Sequence, residues 1–127
     1  MSFAECDITL QRAEFLVEAK FSVPEKGVLG IFGHSGSGKT TLLRCVAGLE
    51  KDVQGSIEVN NQTWLGGSCN LSSRQRNIGY VFQDSRLFPH LTVGENLQYG
   101  VRRNLRNVET VDRDHLLQLL NIGHLLN

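Results

Sequence analysis

The most specific chemistry in the sequence lies in one run: Gly33, His34, Ser35, Gly36, Ser37, Gly38, Lys39 and Thr40 fit the phosphate-loop pattern GxxxxGK[ST]. Each residue type has a physical reason to be there. Glycines let the backbone curl until successive N–H groups point at phosphate oxygens, and a helix that follows adds the positive end of its dipole. Lys39 is placed to bridge the β and γ phosphates of a nucleoside triphosphate, and the Thr40 hydroxyl to ligate Mg²⁺. Thr41 completes this binding set, while His34 occupies a variable position of the pattern and is expected near phosphate without a catalytic role. The competing reading is a glycine-rich turn that opens an ordinary helix and leaves Lys39 in solvent.

Such a loop works only between a buried strand and an amphipathic helix. Before it, Val28, Leu29, Gly30, Ile31 and Phe32 form a continuous apolar run, which predicts a central parallel strand covered on both faces. After it, Leu42, Cys45, Val46 and Leu49 recur at helical spacing and predict a helix of about three turns. Upstream, Ala4, Cys6, Ile8 and Leu10, then Phe15, Val17, Ala19, Phe21 and Val23, alternate with polar neighbours, as in an antiparallel pair with one buried face. Downstream, Ile57 and Val59, the turn Asn60–Asn61 and the run from Gln62 to Leu65 read as a hairpin with Trp64 packed on it. The segment 66–73 reads as loop, and Ile78 to Phe82 as a second buried strand. Pro89 keeps the following stretch irregular. Thr92 and Glu95 form a capping box that starts a helix at Val93, fading near Tyr99 and Gly100, and a last helix is expected from Val111 to Leu120.

The 127 residues, with 13 Gly and 2 Pro, suit one globular unit. Lys plus Arg and Asp plus Glu number 13 each, so there is no overall basic field and no nucleic-acid partner is expected; any anion site must be local. The start has no signal-peptide pattern, and no apolar stretch has the length of a bilayer crossing. Cys6, Cys45 and Cys69 are odd in number and widely spaced, which suits free thiols in the cytoplasm, and Cys45 falls on the apolar stripe of its helix. Arg102, Arg103 and Arg106 read as a solvated helix end. Arg74 and Arg76 lie just ahead of the second apolar run, where the two readings are help in attracting ATP and ordinary loop arginines. His90 is evenly balanced between bare surface and a partner contact, and His115 and His124 are too far apart for a helical metal pair.

A phosphate loop says nucleotide, not purpose. One route is a small nucleotide or metabolite kinase, if Asp84 at the end of the second apolar run were the metal's acidic partner; Gln83 interrupts that run, and no arginine-bearing lid follows. Another is a module that binds ATP without turning it over.

Taken together, GHSGSGKTTLLRCVAGLE at 33–50 and RNIGYVFQDSRLFPHLTVGENLQYG at 76–100 resemble the ATP-binding subunit of ABC transporters. FQDSRLFPH and ENLQYG are most similar to the molybdate importer ATPases of the oxyanion-uptake branch. The resemblance implies an α/β P-loop NTPase core with an antiparallel β subdomain and the start of a helical subdomain. Residues 1–127 would form the N-terminal part of one nucleotide-binding domain, with the P-loop at 33–40, the Q-loop region at 83–92 and the helical part from about 93 to 127. It implies ATP and Mg²⁺ as cofactors, Gln83 as the glutamine that joins Thr40 at the metal and meets the attacking water, and Asp84 to Thr92 as the groove for a transmembrane permease. It further implies pairing with a second ATPase protomer and a peripheral position on the inner face of the cell membrane. Two features depart from the family pattern. Gln11, Arg12 and Ala13 stand where an aromatic ring is usual for stacking on adenine, leaving Arg12 or Phe15 as substitutes. The sequence also ends at NIGHLLN, ahead of where the family carries its LSGGQ signature, Walker B aspartate, catalytic glutamate and switch histidine. The expectation is a piece truncated before those motifs, with no catalytic residue of its own, binding nucleotide with little hydrolysis and marginal in isolation.

Overall fold

The computed structural model describes residues 2–103 and 113–126, with side chains described for 2–99 and 113–126. The chain divides into two compact units, Met1–Tyr80 and Val81–Asn127.

In the first unit the alternating segments pair as their pattern requires. Strand β1 (Ser2–Gln11) runs antiparallel to β2 (Leu16–Pro24), with Cys6 opposite Phe21 and Leu10 opposite Val17, and the hairpin closes where Arg12 N donates to Phe15 O at 2.9 Å. On its other edge β1 pairs antiparallel with β3 (Gln54–Val59), placing Cys6 opposite Ile57. Strands β4 (Gln62–Gly66) and β5 (Cys69–Asn70) complete a five-stranded sheet in the order β2-β1-β3-β4-β5. Asn60 and Asn61 have φ of 48° and 60°, the left-handed pair that a two-residue hairpin turn needs. Gly55 opens β3 at φ 109°, where a Cβ would lie 2.1 Å from the Asp7 carbonyl oxygen.

The core lies on one face of this sheet. Cys6, Ile8, Leu10, Val17, Ile57, Trp64 and Leu65 are buried there, together with Cys45 from helix α1 (Lys39–Val46), and Leu42 and Val46 pack against them. Burial pushes the Cys6 thiol up to about 11 and raises Cys45 as well, whereas Cys69 is half-buried on β5; all three thiols are free. The opposite face carries polar side chains such as Asp7 and Lys20, paired at 2.6 Å. The expected loop at 66–73 thus includes the short strand β5.

The expected central parallel strand, 28–32, and the expected second buried strand, 78–82, are not strands in the structure. Val28, Phe32 and Val81 are 97%, 94% and 95% exposed. The reason is a lack of neighbours: a parallel strand needs a hydrogen-bonding partner on its edges and cover on both faces. Among the described residues every strand pair is antiparallel and belongs to the sheet above. The antiparallel sheet and the helix after the glycine loop are present, and a parallel core sheet is absent from the described residues. Helix α1 is also shorter than expected, ending before Leu49.

In the second unit, α2 (Val93–Arg103) starts at the expected capping box. Thr92 N donates to Glu95 Oε2 at 2.8 Å, and Glu95 N donates to Thr92 Oγ1 at 3.2 Å. The helix continues past Tyr99 and Gly100. Arg106 and the side chains of Arg102 and Arg103 lie outside the described residues, as do the first two positions of the expected last helix. That helix, α3 (Arg113–Leu119), buries Leu117 and is followed by a single 3₁₀ turn, Gly123–Leu125. Among the described residues no helix is long and apolar enough to cross a membrane.

Candidate functional site

Residues 33–41 form one continuous loop and helix start. The turn closes where Ser37 N donates to His34 O at 3.2 Å, and the first helical bond runs from Leu42 N to Gly38 O at 2.8 Å. Gly36 and Gly38 take φ of 80° and 89°, values that a side chain at either position would resist. Gly38 is the N-cap of α1 and no side chain caps that end, so first-turn N–H groups are left for another acceptor. A Cβ on Gly33 would lie 2.7 Å from Ser37 Oγ, and one on Gly38 would lie 3.1 Å from Val17 Cγ2, which seats the base of the loop against β2.

The Lys39 ammonium stands over this curl. It donates to the carbonyl oxygens of Gly33 and His34, each at 2.7 Å, and to Ser37 Oγ at 3.3 Å. His34 Nδ1 lies 2.9 Å from Ser35 O. Gly33, His34, Ser35, Gly36 and Ser37 are exposed, Gly38, Lys39 and Thr41 half-buried, and Thr40 exposed on the first turn. The residues present fit a polyphosphate: a curl turned by glycines of positive φ, an uncapped helix start and one cation aimed across it. Thr40 has the position and the hydroxyl to ligate a magnesium ion beside that anion.

The far end of α1 is held as firmly as its start is open. Gly48 N donates to Cys45 O at 3.1 Å and Leu49 N to Arg44 O at 2.9 Å, with Gly48 at φ 71°. Into this end reaches Arg76, a buried charged side chain, 4% exposed. Its Nη1 donates to Val46 O at 2.7 Å and to Cys45 O at 3.0 Å, its Nε to Leu71 O at 3.0 Å, and its Nη2 to Asn70 Oδ1 at 3.4 Å. The guanidinium lies 5.8 Å from the Trp64 ring centroid. Gly48 leaves space for it, since a Cβ there would come within 2.9 Å of Arg76 Nε. Burial lowers the Arg76 pKa, yet an arginine remains cationic at neutral pH. The alternative that Arg76 attracts ATP from solvent is therefore corrected: its partners are main-chain carbonyls and the Asn70 side-chain oxygen inside the fold. Sequence reasoning missed this role because the helix end it caps lies about thirty positions upstream. The one available signal was the general preference of cations for helix C-termini.

On the flank of α1, Glu50 joins two arginines. Arg44 Nε donates to Glu50 Oε1 at 2.5 Å and Arg12 Nη2 to Glu50 Oε2 at 2.8 Å, while Arg12 Nη1 lies 3.9 Å from Asp52 Oδ2. The Arg44 hydrogen bond holds the Glu50 carboxyl below the usual glutamate range against the opposing effect of burial, with Arg12 adding to it. Arg12, one of the two expected adenine-stacking residues, is thus engaged by carboxylates, and Phe15 stays exposed on the same hairpin turn.

Gln83 is exposed and belongs to the second unit. The segment that follows it is irregular but closely tied. Asn96 on α2 accepts from Phe88 N at 2.8 Å through Oδ1 and donates through Nδ2 to Leu91 O at 3.1 Å, Thr92 O at 3.0 Å and Phe88 O at 3.2 Å. The Phe88 ring packs on Tyr99 at 4.4 Å between centroids, with His90 at 5.8 Å from it. The sequence signal for this staple was a side-chain amide inside the first turns of a helix, where it competes for local carbonyls.

A family model described as ABC transporter matches residues 16–127. Among curated proteins, the chain is 47% identical to the molybdenum import ATP-binding protein ModC 1 of Azotobacter vinelandii over 90% of this chain and 32% of that protein. It is 44% identical to the molybdenum import ATP-binding protein ModC of Pseudomonas fluorescens, and 45% identical to that of Pseudomonas aeruginosa, covering 89% and 88% of this chain and 32% of each relative. The chain thus spans about a third of the length of the curated relatives it matches, at 32% of each.

Proposed function

The chain belongs to the ABC transporter family, and from that premise we propose that it binds ATP with Mg²⁺ at residues 33–41 as part of the ATP-binding component of an oxyanion importer, with molybdate as the cargo. The single observation that carries the reading is the Lys39 ammonium held across a loop that Gly36 and Gly38 turn with positive φ, at the uncapped start of α1. Gly33, His34, Ser35, Gly36, Ser37 and Gly38 supply the curl, Lys39 the cation for the terminal phosphates, and Thr40 and Thr41 the first-turn hydroxyls. Thr40 would hold a magnesium ion through its hydroxyl and the ion would offset phosphate charge, while Gln83 keeps the metal role that the family resemblance implies. The segment Asp84 to Thr92 is the coupling surface to a transmembrane permease on the inner face of the membrane, and the helical subdomain begins near residue 93. A second ATPase protomer completes the site in the intact transporter. The similarity of relatives named as molybdenum import ATP-binding proteins supports the cargo.

The residues assigned here bind and orient phosphate, and none is assigned to activate water. The intact subunit is a transport ATPase in this reading, whereas the 127-residue chain alone holds nucleotide with little turnover. Equilibrium binding of ATP tests it: Mg²⁺-dependent affinity for ATP is expected, lost by at least about tenfold in Lys39→Ala. A folded chain whose ATP affinity is indifferent to Lys39 would falsify the reading. Transfer of phosphate to a small-molecule acceptor would favour a kinase instead.

A further inference from the structure

Helix α1 presents Lys39 and Thr40 from its first turn, yet it is only 8 residues long and Cys45 is its one buried side chain. A helix of that length has little stability of its own, so its placement depends on what grips its other end. That grip is Arg76. On one side its guanidinium takes the carbonyls of Cys45 and Val46 at the end of α1, at 3.0 and 2.7 Å. On the other it is fixed to the β4–β5 side of the sheet, through Leu71 O, Asn70 Oδ1 and the face of Trp64. Gly48, in the turn that ends α1, provides the space, with a would-be Cβ 2.9 Å from Nε.

We propose that Arg76 is a positioning residue for nucleotide binding, acting through α1 to fix where the Lys39 ammonium and the Thr40 hydroxyl stand. The inference rests on the reading of 33–41 as the phosphate site. Helix and sheet are joined here by a planar fork that reaches carbonyls in two directions at once. A lysine, with one ammonium, keeps the charge at the helix end but cannot span Val46, Cys45 and Leu71 together. A small shift at the far end of a short rigid helix is carried to its first turn, where ångström displacements of binding groups weaken contacts to phosphate.

The socket carries its own reporter, because Trp64 is the single tryptophan of the chain and lies against the guanidinium. MgADP is titrated into the 127-residue chain, with calorimetry giving Kd and Trp64 emission reporting the socket. In the unmodified chain MgADP is expected to change Trp64 emission. Arg76→Met is expected to raise Kd about tenfold and abolish the emission response with far-UV circular dichroism retained, and Arg76→Lys to raise Kd about threefold and keep part of the response. A folded Arg76→Met with unchanged Kd, or Trp64 emission indifferent to MgADP in the unmodified chain, overturns the proposal. If Arg76→Met does not fold, Arg76→Lys decides, and an unchanged Kd in that variant overturns it. Absence of MgADP binding by the unmodified chain defeats the phosphate-site reading and this inference with it. Binding that depends on Lys39 but not on Arg76 defeats this inference alone.

Discussion

Strand β1 and the run 28–32 are both rich in apolar residues, and their fates are opposite. In β1 the apolar side chains of Cys6, Ile8 and Leu10 all point to one face, and both edges are occupied by neighbours, β2 and β3. The backbone groups are satisfied and a single face remains for α1 to cover. In 28–32 consecutive apolar residues point both ways, and among the described residues no strand lies along either edge. Alternation asks for one cover and for edges that hairpins can supply. A continuous apolar run asks for two covers and for partners distant in sequence.

The widest gap between the two regions should appear on truncating one side chain in each. Leu10→Ala removes a fully buried side chain and is expected to lower the unfolding free energy by about 3 kcal/mol. Phe32→Ala, at an exposed position, should change it by less than about 0.5 kcal/mol. Urea denaturation measures both, and equal losses would mean that Phe32 is packed in solution.

The segment 84–92 sharpens the contrast, being irregular yet provided with hydrogen-bond partners. Replacing Asn96 with leucine should speed amide exchange at Phe88 by about tenfold to a hundredfold, with little effect on β1 amides. Uniform acceleration across both units would show that the staple is not local.

The smallest effect is expected at Glu50. Its folded carboxyl lies below the ordinary glutamate value of about 4.3, so the stability it adds is fully present above that value and is lost as pH falls through the folded pKa. The difference between the unmodified chain and Glu50→Gln should be about 1 kcal/mol at pH 7 and shrink as pH falls through the folded pKa. A difference independent of pH would remove the carboxylate from that role.

Legibility in the sequence followed the range of the interactions. The β1–β2 alternation, the Asn60–Asn61 hairpin and the Thr92–Glu95 capping box are settled by residues within a few positions of one another, and each was readable. The curl at 33–38 with Lys39 across it was readable for the same reason, its glycines and lysine being contiguous. The strands expected at 28–32 and 78–82 failed because periodicity reports which faces want cover, not whether an edge partner exists. The Arg76 socket and the Glu50 cluster were invisible because their members come from separate segments, and only folding brings them together.

The three thiols divide the molecule by accessibility. Cys6 and Cys45 sit in the sheet core with ionisation suppressed by burial, while Cys69 keeps its sulfur half-open on β5, donating to Thr63 O at 3.3 Å. Alkylating reagents act on thiolates they can reach. At neutral pH the native chain therefore offers such reagents one attachment point, and the denatured chain offers three. Mass added per molecule becomes a tally of how much of the core between sheet and α1 has opened, with no substitution introduced.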